Sequence, residues 1–290
     1  MEKLSAATTE PQPRRRLHQV YPSESCETET DVDIIAIHGL DTKSPDTWLW
    51  RDKQRPEAPP VDWLRDQQML PSVVGNARIF TCDWPADLFE SPDMLQRTIG
   101  EFALCLLSSI KGRPAARRGG GRHVGPDELP IVFVASCLGG IILLKALSMA
   151  QSGGEYRSVL TGTRGVVFLA TPFRGTSFQD VAEWAEPGLR IWASIRGQKV
   201  SNLLENVKRP TFDLGDLVHG FADLQREHGY QISTFYELGY TNLYDKVGWL
   251  GSLFLRPTRK QVGTRWKTDA FGLQHWFLIT SSWSTEHLGR

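Results

Sequence analysis

Several short stretches of the chain are apolar at nearly every position, and the segments between them repeat apolar residues at helical spacing. The short runs are VDIIAIHGL from Val32, ARIFTC at Ala77 to Cys82, IVFVA at Ile131 to Ala135, GVVFLA at Gly165 to Ala170 and ISTFY at Ile232 to Tyr236. Each is bounded by turn-forming residues and most are β-branched, which predicts strands. Their apolar continuity leaves no solvent face, so the sheet should be parallel and covered on both sides. Strands that alternate with helical segments predict an α/β domain with a mostly parallel, doubly wound sheet.

The helical segments carry their own signals. Leu95, Ile99, Phe102, Leu106 and Ile110 recur at helical spacing, with Ser91 as the expected N-cap, Pro92 at the first helical position and Gly112 as the stop. After IVFVA comes the turn SCLGG, then a helix from Ile141 to Ala150. It is apolar on nearly every face and so belongs in the middle of the domain. Residues 176–230 read as helices broken at Pro187, Gly197 and Pro210, and are expected to form a helical cap.

The remaining segments lack such patterning. Residues 1–31 are rich in Ser, Thr, Glu, Pro and Arg and are expected to be a disordered tail, since they bury too little to offset the entropy of ordering. Residues 111–126, KGRPAARRGGGRHVGP, read as a flexible, solvated basic loop. The domain proper should therefore span residues 32–240, with 241–290 as a divergent tail, either truncated or poorly ordered. Val262-Gly263 is a read-through point if the gene model is mis-spliced.

Composition narrows the function classes. The chain has 290 residues, 40% of them hydrophobic, enough for the core of one large α/β domain. Lys plus Arg and Asp plus Glu both total 33, so the net charge is zero and nothing points to nucleic acid as a partner. The cysteines Cys26, Cys82, Cys105 and Cys137 stand far apart without a C-x-x-C pair, so no zinc site, no metal and no dense disulfide framework is expected. A reducing intracellular compartment fits this usage. No run of eighteen apolar residues is present, and the N-terminus lacks the apolar region of a secretory signal. Arg14, Arg15 and Arg16 would suit a mitochondrial presequence, and Glu2 and Glu10 weaken it.

The chemistry concentrates at SCLGG. A turn that leads sharply from a buried strand into a buried helix, with small residues two before and two after its central residue, is a nucleophile elbow. Ala135 and Gly139 meet that requirement around Cys137. The alternative register, centred on Ser136, would place Val134 and Leu138 where small residues are needed. At the head of a helix the amides and dipole favour a thiolate, and a thiolate is a strong nucleophile. The Leu138 amide and the loop of His38, Gly39 and Leu40 are placed to supply an oxyanion hole, with Gly39 permitting close backbone approach.

HGL after the first strand, ASCLGG at the turn and FLATPFRG at the end of a later strand together resemble the serine active-site-containing protein family of lipase-like α/β hydrolases. The same pattern resembles the hydrolase-type N-terminal domains of fungal NLR-like signalling proteins. The resemblance covers roughly residues 32–237 and implies an α/β-hydrolase fold, a lipid-like ester or acyl substrate, no cofactor, and peripheral membrane contact at mitochondria or endoplasmic reticulum. This sequence departs from it at two places. The family's G-H-S-L-G reads A-S-C-L-G, and the histidine of T-P-H-R-G is Phe173.

In this fold the order is nucleophile, acid, histidine. Glu237, directly after ISTFY, takes the acid slot, with Asp245 in reserve. Of His219, His228, His275 and His287, the first two fall in the expected cap and the last lies three residues from the chain end, which leaves His275. Two functions follow as expectations. One is an ester or thioester hydrolase using Cys137, Glu237 and His275; the other is a catalytically weak hydrolase fold that serves as a recognition or signalling module. The tryptophans Trp266, Trp276 and Trp283 beside Arg265 and Lys267 lack a helical period. They add no independent case for a membrane surface.

Overall fold

A run that is apolar at every position can be satisfied only where both faces of its strand are covered, and this requirement organises the domain. The computed structural model describes residues 17–23, 28–40, 42–52, 54–84, 98–171, 173 and 213–235, with backbone alone at 89–90 and 199–200. The main sheet is formed by β1 (Leu17–Tyr21), β2 (Val32–Ile37), β3 (Ala77–Cys82), β4 (Ile131–Ser136), β5 (Thr163–Leu169) and β6 (Gln231–Phe235). Its order is β1-β3-β2-β4-β5-β6, with β1 antiparallel at one edge and all other pairings parallel.

Alternate residues of the same strands feed two apolar layers. Ile35, Ile37, Phe133 and Ala135 face a large cluster built with the helices α1 (Ile99–Lys111), α2 (Leu138–Ser152) and α3 (Leu214–His228). Ile34, Ala36 and Val134 face a second cluster with Trp48, Leu64 and Leu70 on the opposite side. Burying each of the Ile, Leu, Val and Phe side chains fully contributes about 1.5–3 kcal/mol. This explains why both parities of β2 and β4 are apolar. The central helix α2 is buried along most of its length, as an all-round apolar helix must be.

The strand order contains a switch. From β2 the chain moves outward to β3, then crosses back past β2 to lay down β4, β5 and β6 on the other side. In open α/β sheets the crevice at such a point, at the carboxyl ends of the strands, is where ligands bind. Ile37 pairs with Ala135 in register, so the HGL loop after β2 and the SCLGG turn after β4 leave the sheet side by side. This strand order, the antiparallel edge strand and the strand–turn–helix of β4 and α2 define an α/β-hydrolase fold.

At the opposite end of the sheet a buried ionic group ties three segments together. Asp33 of β2, wholly buried, receives a forked pair from Arg78 of β3, Nε to Oδ1 at 2.8 Å and Nη2 to Oδ2 at 3.0 Å. Arg113 adds Nε to Oδ2 at 2.8 Å and spends its other nitrogens on the Ile110 and Pro126 carbonyls. Burial holds the Arg113 pKa below its usual value, and the Asp33 carboxylate opposes that shift. The carboxylate and both guanidiniums are hydrogen-bonded, which is what makes such a group tolerable in a core.

Several expectations are corrected here. Within the expected tail, residues 17–21 form β1, Glu29 bridges to Arg117 and Thr30 is buried. The expected basic loop 111–126 is a hairpin, Ala116–Arg118 paired with Arg122–Val124, turned by Gly120 and Gly121 at φ 80° and 78°. It is anchored by Arg113 and by Thr30 N–H donating to the Arg117 carbonyl at 2.7 Å. Within the expected cap, α3 packs against α2, burying Leu214, Phe221 and Leu224 in the main core. Helix α1 is capped by Thr98 in a capping box with Glu101, their reciprocal bonds 2.6 and 3.2 Å long. Ser91 and Pro92, most of residues 176–212 and all of 241–290 lie outside the described residues.

Candidate active site

The site grows from the turn between β4 and α2. Cys137 closes this turn with φ 49° and ψ −124°, a conformation that costs a residue with a Cβ about 1–3 kcal/mol. Its N–H donates to the Leu169 carbonyl of β5 at 2.8 Å, and its own carbonyl accepts from Gly140 N–H at 3.1 Å. Ala170, at the end of β5, is the other described non-glycine residue with positive φ, at 51°. Two strained residues thus stand at the ends of adjacent strands, and the hydrogen bond from Cys137 reaches the residue just before Ala170. Ser136 is the last residue of β4 and carries no such strain, so the turn is centred on Cys137.

Packing around the turn leaves no space for larger residues. A Cβ on Gly139 would overlap the His38 carbonyl oxygen and stand 2.8 Å from the Ile37 oxygen. A Cβ on Gly140 would overlap the Thr171 side chain. On Gly39 it would stand 2.8 Å from the Cys137 Cβ and 3.7 Å from its Sγ. The two loops are therefore in direct backbone contact.

Helix α2 begins at Leu138, with no acidic residue in its first turn and no side-chain cap. The first amides of a helix have no acceptor within it and carry the positive end of its dipole, so a developing anion is stabilised at this point. Cys137 is half-buried and is not part of a disulfide. Thr171 is buried, and its hydroxyl has no hydrogen-bond partner among the described residues.

The HGL loop is fixed from outside by residues that the sequence did not single out. His38 is buried and stacked on Trp84, with ring centroids 5.2 Å apart and planes at 8°. The Trp84 main-chain N–H donates to His38 Nε2 at 3.4 Å, which places the imidazole proton on Nδ1, and Nδ1–H donates to the Gly39 carbonyl at 2.9 Å. The Trp84 indole N–H donates to the His38 carbonyl at 3.0 Å. Thr42 Oγ1 gives the Gly39 carbonyl a second donor at 3.1 Å. Asp83 stands 4.0 Å from His38 Nε2 and 3.5 Å from His18 Nε2 of β1. The register that pairs Ile37 with Cys82 is what brings Asp83 and Trp84 beside His38, and no local sequence pattern reveals it.

The structure thus brings Gly39 against Cys137, with Leu40 and Leu138 the residues that follow each along the chain. Glu237, two residues beyond β6, and His275 lie outside the described residues, as do Asp245 and His287. His219 is exposed on α3 with Nδ1 against the Gly215 carbonyl of its own helix, and His228 stacks on Tyr230. Phe173, where the resembling family has histidine, packs edge-on against Phe168 at 4.8 Å and belongs to the main core.

The fold and this crevice define an α/β-hydrolase-like protein. No family model matches the chain. It is similar to Protein SERAC1 of Bos taurus, 22% identical over 233 residues covering 76% of this chain and 32% of that protein. Protein SERAC1 of Mus musculus is 23% identical, over 73% of this chain and 31% of that protein, and that of Homo sapiens is 20% identical, over 82% and 35%. The chain spans about a third of the length of these relatives. Among solved structures it is similar to the lipase BlEst2 of Bacillus licheniformis in mature form, at a TM-score of 0.42 and 15% identity over 78% of this chain and 74% of that one. An inhibited esterase B from Lactobacillus rhamnosis gives a TM-score of 0.33 and 9% identity over 71% and 65%. Among the described residues no helix is long and apolar enough to cross a membrane.

Proposed function

We propose that the chain hydrolyses ester or thioester bonds of a lipid-like acyl substrate, with Cys137 as the nucleophile of an elbow after β4. The observation that carries this reading is the conformation of Cys137, a strained non-glycine residue held at the head of the buried helix α2 and against the Gly39 backbone.

In this reading the Cys137 thiolate attacks the acyl carbonyl carbon, and the charge that develops on the carbonyl oxygen is met by amides of Leu138 and of the Gly39-Leu40 loop. The carbon–oxygen or carbon–sulfur bond to the leaving group then breaks. The departing alcohol or thiol takes up a proton, and an acyl thioester remains on Cys137. Water hydrolyses that thioester, releasing the carboxylic acid and restoring the thiol. His275 is the proposed proton carrier and Glu237 its orienting acid, following the order of residues along the chain. By the family resemblance the substrate lies in lipid metabolism, and the protein makes peripheral contact with mitochondrial or endoplasmic reticulum membrane.

Turnover of short-chain p-nitrophenyl esters and the matching N-acetylcysteamine thioesters tests the reading. Cys137→Ala should abolish turnover, and an acyl electrophile should label Cys137 alone. Undiminished turnover by Cys137→Ala overturns it. A wild-type chain that turns over neither substrate class belongs instead to the second reading, a recognition or signalling module on a hydrolase fold.

A further inference from the structure

The structure shows an unusual amount of bonding directed at two peptide groups, those joining His38 to Gly39 and Gly39 to Leu40. In a trans peptide the carbonyl and the following N–H point in opposite directions, so fixing one fixes the other. The Trp84 indole N–H holds the His38 carbonyl, which presses against the Gly139 backbone at the head of α2. The His38 Nδ1–H and the Thr42 hydroxyl together hold the Gly39 carbonyl. The Leu40 N–H is thereby presented on the side away from His38 and Thr42.

Resting on the hydrolase reading above, we propose that Trp84, His38 and Thr42 are positioning residues that preset the oxyanion loop, with the Leu40 amide as the donor they aim. None of the three touches the reacting atoms. Trp84 and His38 are themselves held in place. The Trp84 ring packs on His38 and on Phe102 of α1. Its main-chain N–H locks the His38 tautomer. Close contact of Gly39 with Cys137 converts any rotation of these peptides into displacement of the donor from the nucleophile. A preorganised donor contributes most where charge develops in the transition state and little to binding of the ground state.

The test separates acyl transfer from plain cysteine reactivity. Trp84→Phe keeps the ring and removes the indole N–H; Thr42→Val keeps the shape and removes the hydroxyl; Thr42→Ser restores it. Each of the first two should lower kcat on a p-nitrophenyl ester roughly ten-fold, with KM within about two-fold, and Thr42→Ser should recover wild-type kcat. Alkylation of Cys137 by iodoacetamide forms no oxyanion and should proceed at the wild-type rate in all three. Wild-type kcat in both Trp84→Phe and Thr42→Val overturns the proposal while leaving the hydrolase reading intact. So does an equal slowing of alkylation and of turnover, which would mean that the cysteine itself was disturbed. Absence of turnover in the wild type overturns both.

Discussion

Gly39 and Cys137 meet at a separation that admits no side chain, since a Cβ on Gly39 would stand 2.8 Å from the Cys137 Cβ. The nearest atom belongs to a residue whose own backbone is fixed between β4 and α2, so the Gly39 loop is the partner that must move. Gly39→Ala should therefore fold, with a modest loss in thermal midpoint, and lose about 100-fold in kcat/KM on ester substrates through a misplaced oxyanion donor. Circular dichroism with steady-state kinetics on the same preparation checks it. Full activity in a folded Gly39→Ala protein would show that the loop is not part of the site.

The strain at Cys137 gives a second prediction, independent of any substrate. Glycine adopts φ 49°, ψ −124° without a Cβ penalty, whereas alanine and cysteine do not. Cys137→Gly should be about 1 kcal/mol more stable than Cys137→Ala after allowing about 0.5–1 kcal/mol for the greater freedom of glycine in the unfolded chain. Urea melts of the two variants make the comparison. Equal stabilities would mean that the turn relaxes in solution.

Much of this architecture is legible before folding, for a physical reason. Strands buried on both faces are apolar at most positions, so β2, β3, β4 and β5 announce themselves in composition alone, as does the helix that follows Cys137. The edge strand β1 does not: LHQVY needs only one partner and stays half-exposed, so it carries no continuous apolar run. Helix α3 buries a single stripe, Leu214, Phe221 and Leu224, and its remaining polar face resembles that of a cap. Arg113 reads as one more charge in a basic stretch because its partner, Asp33, lies 80 residues earlier. At the site, the HGL loop and the turn at Cys137 are local motifs. The clamp by Trp84 depends on strand register, which one chain does not display.

Asp33 supplies a third prediction. Asp33→Ala leaves Arg78 and Arg113 buried without an anion and should cost about 3–5 kcal/mol. Arg113→Met should cost less, about 2 kcal/mol, because the forked Arg78 pair survives: the Ile110 and Pro126 carbonyls lose a donor, and Asp33 Oδ2 loses one of its two. The order of the two denaturation midpoints is the readout. If Arg113→Met is the more damaging change, Asp33 is not the centre of the group.

Tyr230 makes stability depend on pH at the alkaline end. Its side chain is buried beside Phe221 and His228 of α3, with the hydroxyl donating to the Leu160 carbonyl at 3.1 Å. Burial, reinforced by the nearby Glu227 charge, raises its pKa well above the usual tyrosine value. The sign follows directly. Above about pH 10 the unfolded chain releases this proton while the native protein keeps it, so the unfolded state binds fewer protons and stability falls as pH rises. The decline from this group approaches about 1.4 kcal/mol per pH unit and ends at the raised native pKa. Below pH 9 the group is neutral in both states and contributes no slope. Tyr230→Phe should be about 0.5–1.5 kcal/mol less stable at pH 7, having lost the bond to Leu160, and should fall less steeply above pH 10. The difference between the wild-type and variant curves, from urea melts between pH 7 and 11, isolates this residue from other groups that titrate in the same range. A constant difference across that range would show that Tyr230 ionises in the native state as readily as in the unfolded one.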